Sequence, residues 1–410
     1  MTTLRILSLL FLFTVSLQAQ TTVGLVGYYT FDGDLIDRTG NTSNTGIAVG
    51  TPTYSCGIDG QALLLDGAND QVRIPNTASV AGEFDREDFT VSFYFKPIGI
   101  NGTQYLFSKR DTACDNNPRE MSIRYVPGSR TLNTFLAQDE DKDVNIINLI
   151  NNGACWQQLT VVRENLRVKV FINGEFLSSL GTASRINLET EGALYIGGAD
   201  CIGGIETPFS GLIDEVRIYN RALDDDEVTG LYGAPDKILT NDTIVFQGNS
   251  LQVALNSTCG TDFSWTPIDN VISPSDAEPL IDAATPGNFV YTVAISDQVS
   301  TCVAVDSFKL TVVDPNTLPC KVAMAKAFTP NRDNLNDTYG LSNPFAINDL
   351  ISFEIFDRWG GIVFRTNDPF AKWDATYKNE AVNPGVFLWR VAYRCDGEEI
   401  NETGTVTVIR

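Results

Sequence analysis

From Val23 onward the chain is written in short runs of alternating apolar and polar residues, broken by Gly, Asn, Asp and Pro. GLVGYYTF, FTVSFYF, QLTVVRE and LRVKVFINGEFLSS are examples. A period of two puts successive side chains on opposite faces, so each run can bury one face as a strand, and the residues between runs are those that turns select. Asn173-Gly174 supplies the pair that a two-residue hairpin turn requires. Helical spacing is scarce. Its clearest instance is Asp224 to Leu231, where Asp224 can accept from the amide three residues on and Glu227 can reach back, so the acidic run DDDE reads as a helix start rather than a metal site. The expected fold is all-β, a jelly-roll β-sandwich followed by two smaller β-sandwich domains.

Two breaks divide the chain. YGAPDKILTND follows the short helix with Gly, Pro and charge, and DPNTLP follows the strand-like TVV. They separate 22–233, 236–315 and 320–410, each long enough for its own core. The eight cysteines, Cys56, Cys114, Cys155, Cys201, Cys259, Cys302, Cys320 and Cys395, fall into these segments as four, two and two. An even number without CxxC spacing, in an exported chain, reads as disulfides. The partition allows Cys259 with Cys302 and Cys320 with Cys395. Within the first four, three pairings are open, of which Cys114 with Cys155 and Cys56 with Cys201 is preferred.

The N-terminal MTTLRILSLLFLFTVSLQAQ has one basic residue, Arg5, an apolar stretch from Ile6 to Leu17, and small or polar residues around Ala19. This is the layout of a signal peptide, residues 1–20, and is too short and wrongly flanked to anchor a membrane. No later apolar run is long enough to span a bilayer. Acidic residues outnumber basic ones 51 to 29, a net charge of −22 that repels phosphate backbones and anionic lipids, which argues against nucleic-acid and membrane-surface partners. There is no histidine. That excludes catalysis through an imidazole base and removes the usual nitrogen ligand of catalytic zinc, so an enzyme built on this chain would have to use carboxylates.

The C-terminal strings AFTPNRDNLNDTYGL, FEIFDRWGGIVF, WDATYKNEAVNPGVFLWRVAY and GTVTVIR resemble the type B C-terminal sorting domain of Bacteroidetes type IX secretion, also called the gliding-motility-associated C-terminal domain. The matching positions are Thr329, Pro330, Asn331, Asp333, Asn336, Asp337, Arg358, Trp359, Gly360, Trp373, Asp374, Pro384, Gly385 and the final strand Thr405 to Arg410. Asn334 and Ala375 stand where that family has glycine. The resemblance implies export across the outer membrane by the type IX machinery, then attachment to the cell surface or release. Trp359, Trp373 and Trp389 are expected to fill the core of this domain. The oxygen-rich turn Asn331, Asp333, Asn336 and Asp337 reads as a hydrogen-bonded loop ahead of a calcium site.

Residues 22–233 resemble a laminin-G-like, concanavalin A-like jelly roll through VGYYTFDGDLIDRTGN, QALLLDGANDQVRIP, FTVSFYFKP, CWQQLTVVRE, VFINGEFLSS, LYIGG and FSGLIDEVRIYNRALDDDEV. The strand around Leu212 to Tyr219 is expected to pair with the one around Val26 to Phe31, bringing the DGDLID loop to Asp214. Asp32, Asp37, Asn41 and Asp214 would then offer hard oxygen ligands where members of the family hold a structural calcium. The competing reading is that Asp and Asn close turns there. The middle segment resembles immunoglobulin-like or PKD-like repeats through QGNSLQVAL, FSWTP, NFVYTVAISD and VAVDSFKLTVV, and its expected role is that of a spacer.

Glu83-Phe84-Asp85-Arg86-Glu87 spells the E-x-D-x-E pattern of family 16 glycoside hydrolases, which share the jelly roll. A retaining pair has to sit about 5 Å apart on a rigid strand, yet alternation here begins only at Phe89. The expectation is therefore a noncatalytic surface or secreted protein that recognises glycans or glycoproteins through 22–233. Its alternatives are a hydrolase using Glu83 and Glu87 and a purely structural adhesin. Tyr105, Tyr125 and Phe135 are candidate sugar platforms. Trp156 is expected to be buried.

Overall fold

The computed structural model describes residues 21–409 apart from 86, 112–118, 151–154, 257–258, 332–335, 348, 379 and 396. The signal segment, Arg86, Cys114, Asp333 and Asn334 thus lie outside the described residues. The alternating runs are strands, and they stack as two eight-stranded sheets. The first sheet runs Glu175–Gly181, Arg167–Ile172, Gln157–Glu164, Phe89–Pro97, Ser210–Tyr219, Gln61–Asp66, Thr53–Cys56, with Leu25–Tyr29 added to Ser210–Tyr219. The second runs Lys142–Leu149, Thr131–Asp139, Glu120–Val126, Thr103–Arg110, Leu194–Ile196, Gln71–Ile74, Ile47–Val49, with Glu206–Pro208 parallel to Thr103–Arg110.

Inward residues at every second position make one core, including Phe89, Val91, Phe93 and Phe95 from the first sheet and Phe107, Ile123, Leu132 and Leu136 from the second. The opening strand pairs with the closing one as expected, Leu25 opposite Tyr219 and Tyr29 opposite Val216. Asn173 (φ 53°) and Gly174 (φ 77°) both take the left-handed conformation of the predicted hairpin turn. Asp224 caps Asp225–Gly230 in a capping box with Glu227.

Strand Phe89–Pro97 is buried on both faces. Its outward residues Thr90, Ser92, Tyr94 and Lys96 are at most 2% exposed, so something covers the first sheet from outside. Part of the cover is the short helix, whose Val228 and Leu231 pack on Val162, Phe171 and Tyr219. Tyr94 extends it, donating to Leu231 O (3.1 Å) and accepting from Gly233 N (2.7 Å). The rest comes from the middle segment. Residues 236–315 are divided between two compact units, 252–280 and 291–308 going with the sandwich. Within that unit Cys56 is bonded to Cys259 and Cys155 to Cys302. Lys96, 2% exposed, pairs with Asp297 and lies 5.8 Å from the Trp156 ring. Trp156 is buried as expected.

These bridges correct the sequence-based pairing. Grouping cysteines by segment assumes that each segment closes its own loops, whereas here two bridges staple 252–280 and 291–308 to the front sandwich, and Cys259 does not meet Cys302. Cys201 is disulfide-bonded as well.

The second unit holds 242–251, 281–290 and 309–410. Its five-stranded sheet runs Ala327–Phe328, Glu398–Val408, Gly385–Cys395, Asp349–Phe356, Ile362–Thr366. Cys320 is bonded to Cys395 as the segment grouping allows. Trp373, Tyr339, Phe353 and Phe328 form its core, and Trp389 packs partly buried beside it. Trp359 does not join them: it is 83% exposed at the tip of a hairpin. Ala375, where the family resemblance places glycine, holds φ 60°, the backbone geometry that glycine adopts without cost. In the oxygen-rich turn, Thr329 N donates to Asn336 O (3.0 Å) and Asn331 N to Thr329 O (2.8 Å), closing a hydrogen-bonded loop.

Candidate functional site

With the first sheet covered, the outward face of the second is the broad surface the sandwich leaves available. Alternation puts Arg124, Asn133 and Phe135 on it, because Ile123, Leu132 and Leu136 point to the core. The Arg124 guanidinium lies 5.7 Å from the Tyr105 ring centre and 5.5 Å from that of Phe135. It donates to Asn133 Oδ1 (2.7 and 3.2 Å) and to Glu206 Oε1 (3.4 Å). Asn133 Nδ2 donates on to Asn145 Oδ1 (2.5 Å). The Phe135 ring, the Arg124 guanidinium and two carboxamides thus form a partly exposed platform above Tyr105, which is itself only 1% exposed, and this is the planar polar and apolar mix that sugar rings stack on.

Beside the platform lies a deeper floor. Arg110 donates to the Tyr105 hydroxyl (3.2 Å) and Asp200 O (3.3 Å), and its guanidinium is 3.7 Å from Glu120. Tyr105 in turn donates to Glu206 Oε1 (3.0 Å), and Tyr195 to Asp200 Oδ1 (2.8 Å). Burial and the neighbouring Glu120 hold the Tyr105 phenol well above its ordinary pKa, so it stays a donor. Arg110 Nε, Glu120 Oε1 and Ser122 Oγ have no hydrogen-bond partner. Buried polar atoms without partners are costly and are therefore uncommon away from function.

The three aromatic candidates separate accordingly. Tyr105 and Phe135 belong to this face. Tyr125 points inward and packs against Phe95. The sequence reading missed Arg124, Asn133, Asn145 and Glu206. The signal was present for the first two, as polar outward positions in SIRYV and TLNTF. Nothing local marks Glu206, which arrives from a separate short strand.

The four proposed calcium ligands do not form one site. Asp37 already accepts from Tyr28 N, Thr39 N, Thr39 Oγ1 and Asn44 Nδ2, at 2.7 to 2.9 Å. Asn41 caps its own turn, accepting from Ser43 N and Oγ, and donates to Ser79. Asp32 and Asp214 instead bind the turn at 57–61, accepting from Gln61 N (2.9 Å) and Ile58 N (2.6 Å). Backbone amides donate to oxygens of Asp32, Asp37 and Asp214. Among the described residues no group of three or more carboxylate, thiol or imidazole side chains converges on a metal-sized centre.

Asp214 is wholly buried, and desolvation, reinforced by Glu215 and Asp32, raises its pKa to about 8. The pocket has no slack: a Cβ on Gly57 would stand 2.4 Å from Asp214 Oδ2 and 2.6 Å from the Gln61 backbone. Gly57→Ala is expected to cost about 1–3 kcal/mol, measured by denaturant unfolding.

Glu83, Asp85 and Glu87 lie in the connection between helix Ser79–Gly82 and strand Phe89–Pro97, not on a strand. Phe84 is in the core and Asp85 pairs with Lys109 (2.5 Å). The structure therefore does not lay these carboxylates along one strand face. A second concavity of about 400 Å³ lies around Tyr28, Arg38 and Arg217, with the Arg217 guanidinium 4.4 Å from the Tyr28 ring centre and both side chains bound to Glu215.

Residues 66–229 match the concanavalin A-like lectin/glucanases superfamily, and residues 322–408 match the type IX secretion signal domain. The chain is 25% identical over 151 residues to an anhydrosialidase of Macrobdella decora, a stretch that is 34% of this chain and 20% of that protein. It thus spans about a fifth of that relative. Among solved structures it is similar to domain 4 of an extracellular arabinanase from Geobacillus stearothermophilus in complex with arabinotriose (27% identity, 51% of this chain, 98% of that one, TM-score 0.41). It is also similar to a sialidase carbohydrate-binding module from Ruminococcus gnavus bound to α2,3 sialyllactose (18% identity, 42% and 96%, TM-score 0.38). No helix among the described residues is long and apolar enough to cross a membrane.

Proposed function

We propose that this chain, which carries a concanavalin A-like domain and a type IX secretion signal domain, is a noncatalytic glycan-binding protein that grips its ligand on the outward face of the second sheet. The type IX signal sends it across the outer membrane, and its disulfides suit the oxidising exterior. The observation that carries the binding reading is the Arg124 guanidinium set against the Tyr105 and Phe135 rings on the outward face of the second sheet.

The ligand expected there is a neutral sugar. Arg110 and Arg124 are already matched by Glu120 and Glu206, so an acidic sugar would have to displace a carboxylate, which for Glu120 is a buried one. Leaving the buried Glu120 carboxylate unpaired would cost about 3–5 kcal/mol. A glycan array probed with the full mature chain should give neutral oligosaccharides as the retained ligands. An array with no retained glycan contradicts the binding reading.

A further inference from the structure

The exposed Trp359 is held in place. Strands Asp349–Phe356 and Ile362–Thr366 are joined by Asp357-Arg358-Trp359-Gly360-Gly361. Asp357 Oδ1 accepts from Trp359 N and Gly361 N, both at 2.8 Å. Asp357 N donates to Gly361 O (2.9 Å) and Gly360 N to Asp357 O (3.0 Å), with Gly360 at φ 83°. This rigid turn holds the indole 83% exposed, with the Arg358 guanidinium 5.4 Å from its ring. The same domain buries Trp373 to 2% exposure, so it does not lack room in principle for such a side chain.

The end of the sheet from which the turn projects is also apolar outside. Leu388 lies opposite Phe356 in register and is 52% exposed, and Val386 and Ile362 are exposed beside it. Arg390 lies over the Phe356 ring at 5.6 Å, and Arg390 and Arg365 share the buried Glu354 carboxylate. Three guanidiniums therefore rim an apolar strip, in a chain whose net charge is −22. Trp and Arg are the residues that carry most binding energy at protein interfaces, and a contiguous apolar patch on a soluble surface marks a contact.

We propose that the Arg358-Trp359 tip and the strip behind it are the surface by which the type IX translocation machinery reads this domain. The partner would be a protein offering an apolar pocket for the indole and a carboxylate for Arg358. This inference stands on the secretion-signal match and is independent of the glycan site.

The test is export of the full chain carrying Trp359→Ala from a bacterium with a type IX system. Protein outside the cell should fall at least tenfold while the periplasmic pool keeps its Cys320–Cys395 bridge. Asp357→Ala, which frees the turn but retains the indole, should fall between that variant and the parent. Phe370→Ala, which removes another exposed aromatic of the domain, should be exported normally. Export of Trp359→Ala at the parental level overturns the proposal, as does equal loss in Trp359→Ala and Phe370→Ala.

Discussion

Replacing Cys155 and Cys302 together by alanine should cost the sandwich about 2–4 kcal/mol, read as a fall in melting temperature of roughly 5–15 °C. The bridge closes a sequence separation of 147 residues, so its removal frees much of the unfolded chain. It also fastens 291–308 over the first sheet, where Lys96 and Trp156 lie buried beneath Asp297. Loosening that cover should also weaken the buried Lys96–Asp297 pair. Peptide mapping without reduction supplies the direct check. Fragments joining Cys155 to Cys302 and Cys56 to Cys259 are expected, and a fragment joining Cys259 to Cys302 would contradict the structure.

Stability should also fall as pH rises from 6 to 8, by about 2 kcal/mol, and Asp214 is the cause. Its folded pKa, about 8, lies above the ordinary carboxylate value near 4, so between those limits the folded state binds one more proton than the unfolded state. Its contribution is therefore complete at acid pH, erodes by about 1.4 kcal/mol per unit as pH rises, and is lost above the folded value. Groups held low, such as Glu227 at about 2 beside Arg221, act with the opposite sign and at far lower pH. No histidine titrates in the window. Asp214→Asn should flatten the slope. It should also lower stability in acid, since an amide can accept from only one of the two backbone donors, Ile58 N and Glu215 N. Unfolding in urea at several pH values reads both effects; an unchanged slope in the variant would refute the assignment.

Period-two alternation made the strands readable, and the Asn173-Gly174 turn and the Asp224 cap could be named to the residue, because these depend on neighbours in sequence. Pairings across long separations could not. Cys56 with Cys259 depends on which face of the sandwich the middle segment covers, and nothing in either local string encodes that. Asp37 and Asn41 misled for a related reason. An oxygen-rich turn is equally a ligand set or a set of amide acceptors until the backbone donors are placed. Trp359 was assigned to the core on size alone, and only the hairpin shows it pointing away. On the glycan face, Tyr105 and Phe135 were legible as aromatics, whereas Glu206 reaches them from a strand far along the chain.

Isothermal titration of the mature chain with a neutral oligosaccharide retained on the array tests the central claim most directly. Arg124→Ala and Phe135→Ala should each weaken binding tenfold or more, and Tyr28→Ala, in the other concavity, should leave it unchanged. Binding that survives both platform variants, or that is lost with Tyr28, would contradict the account.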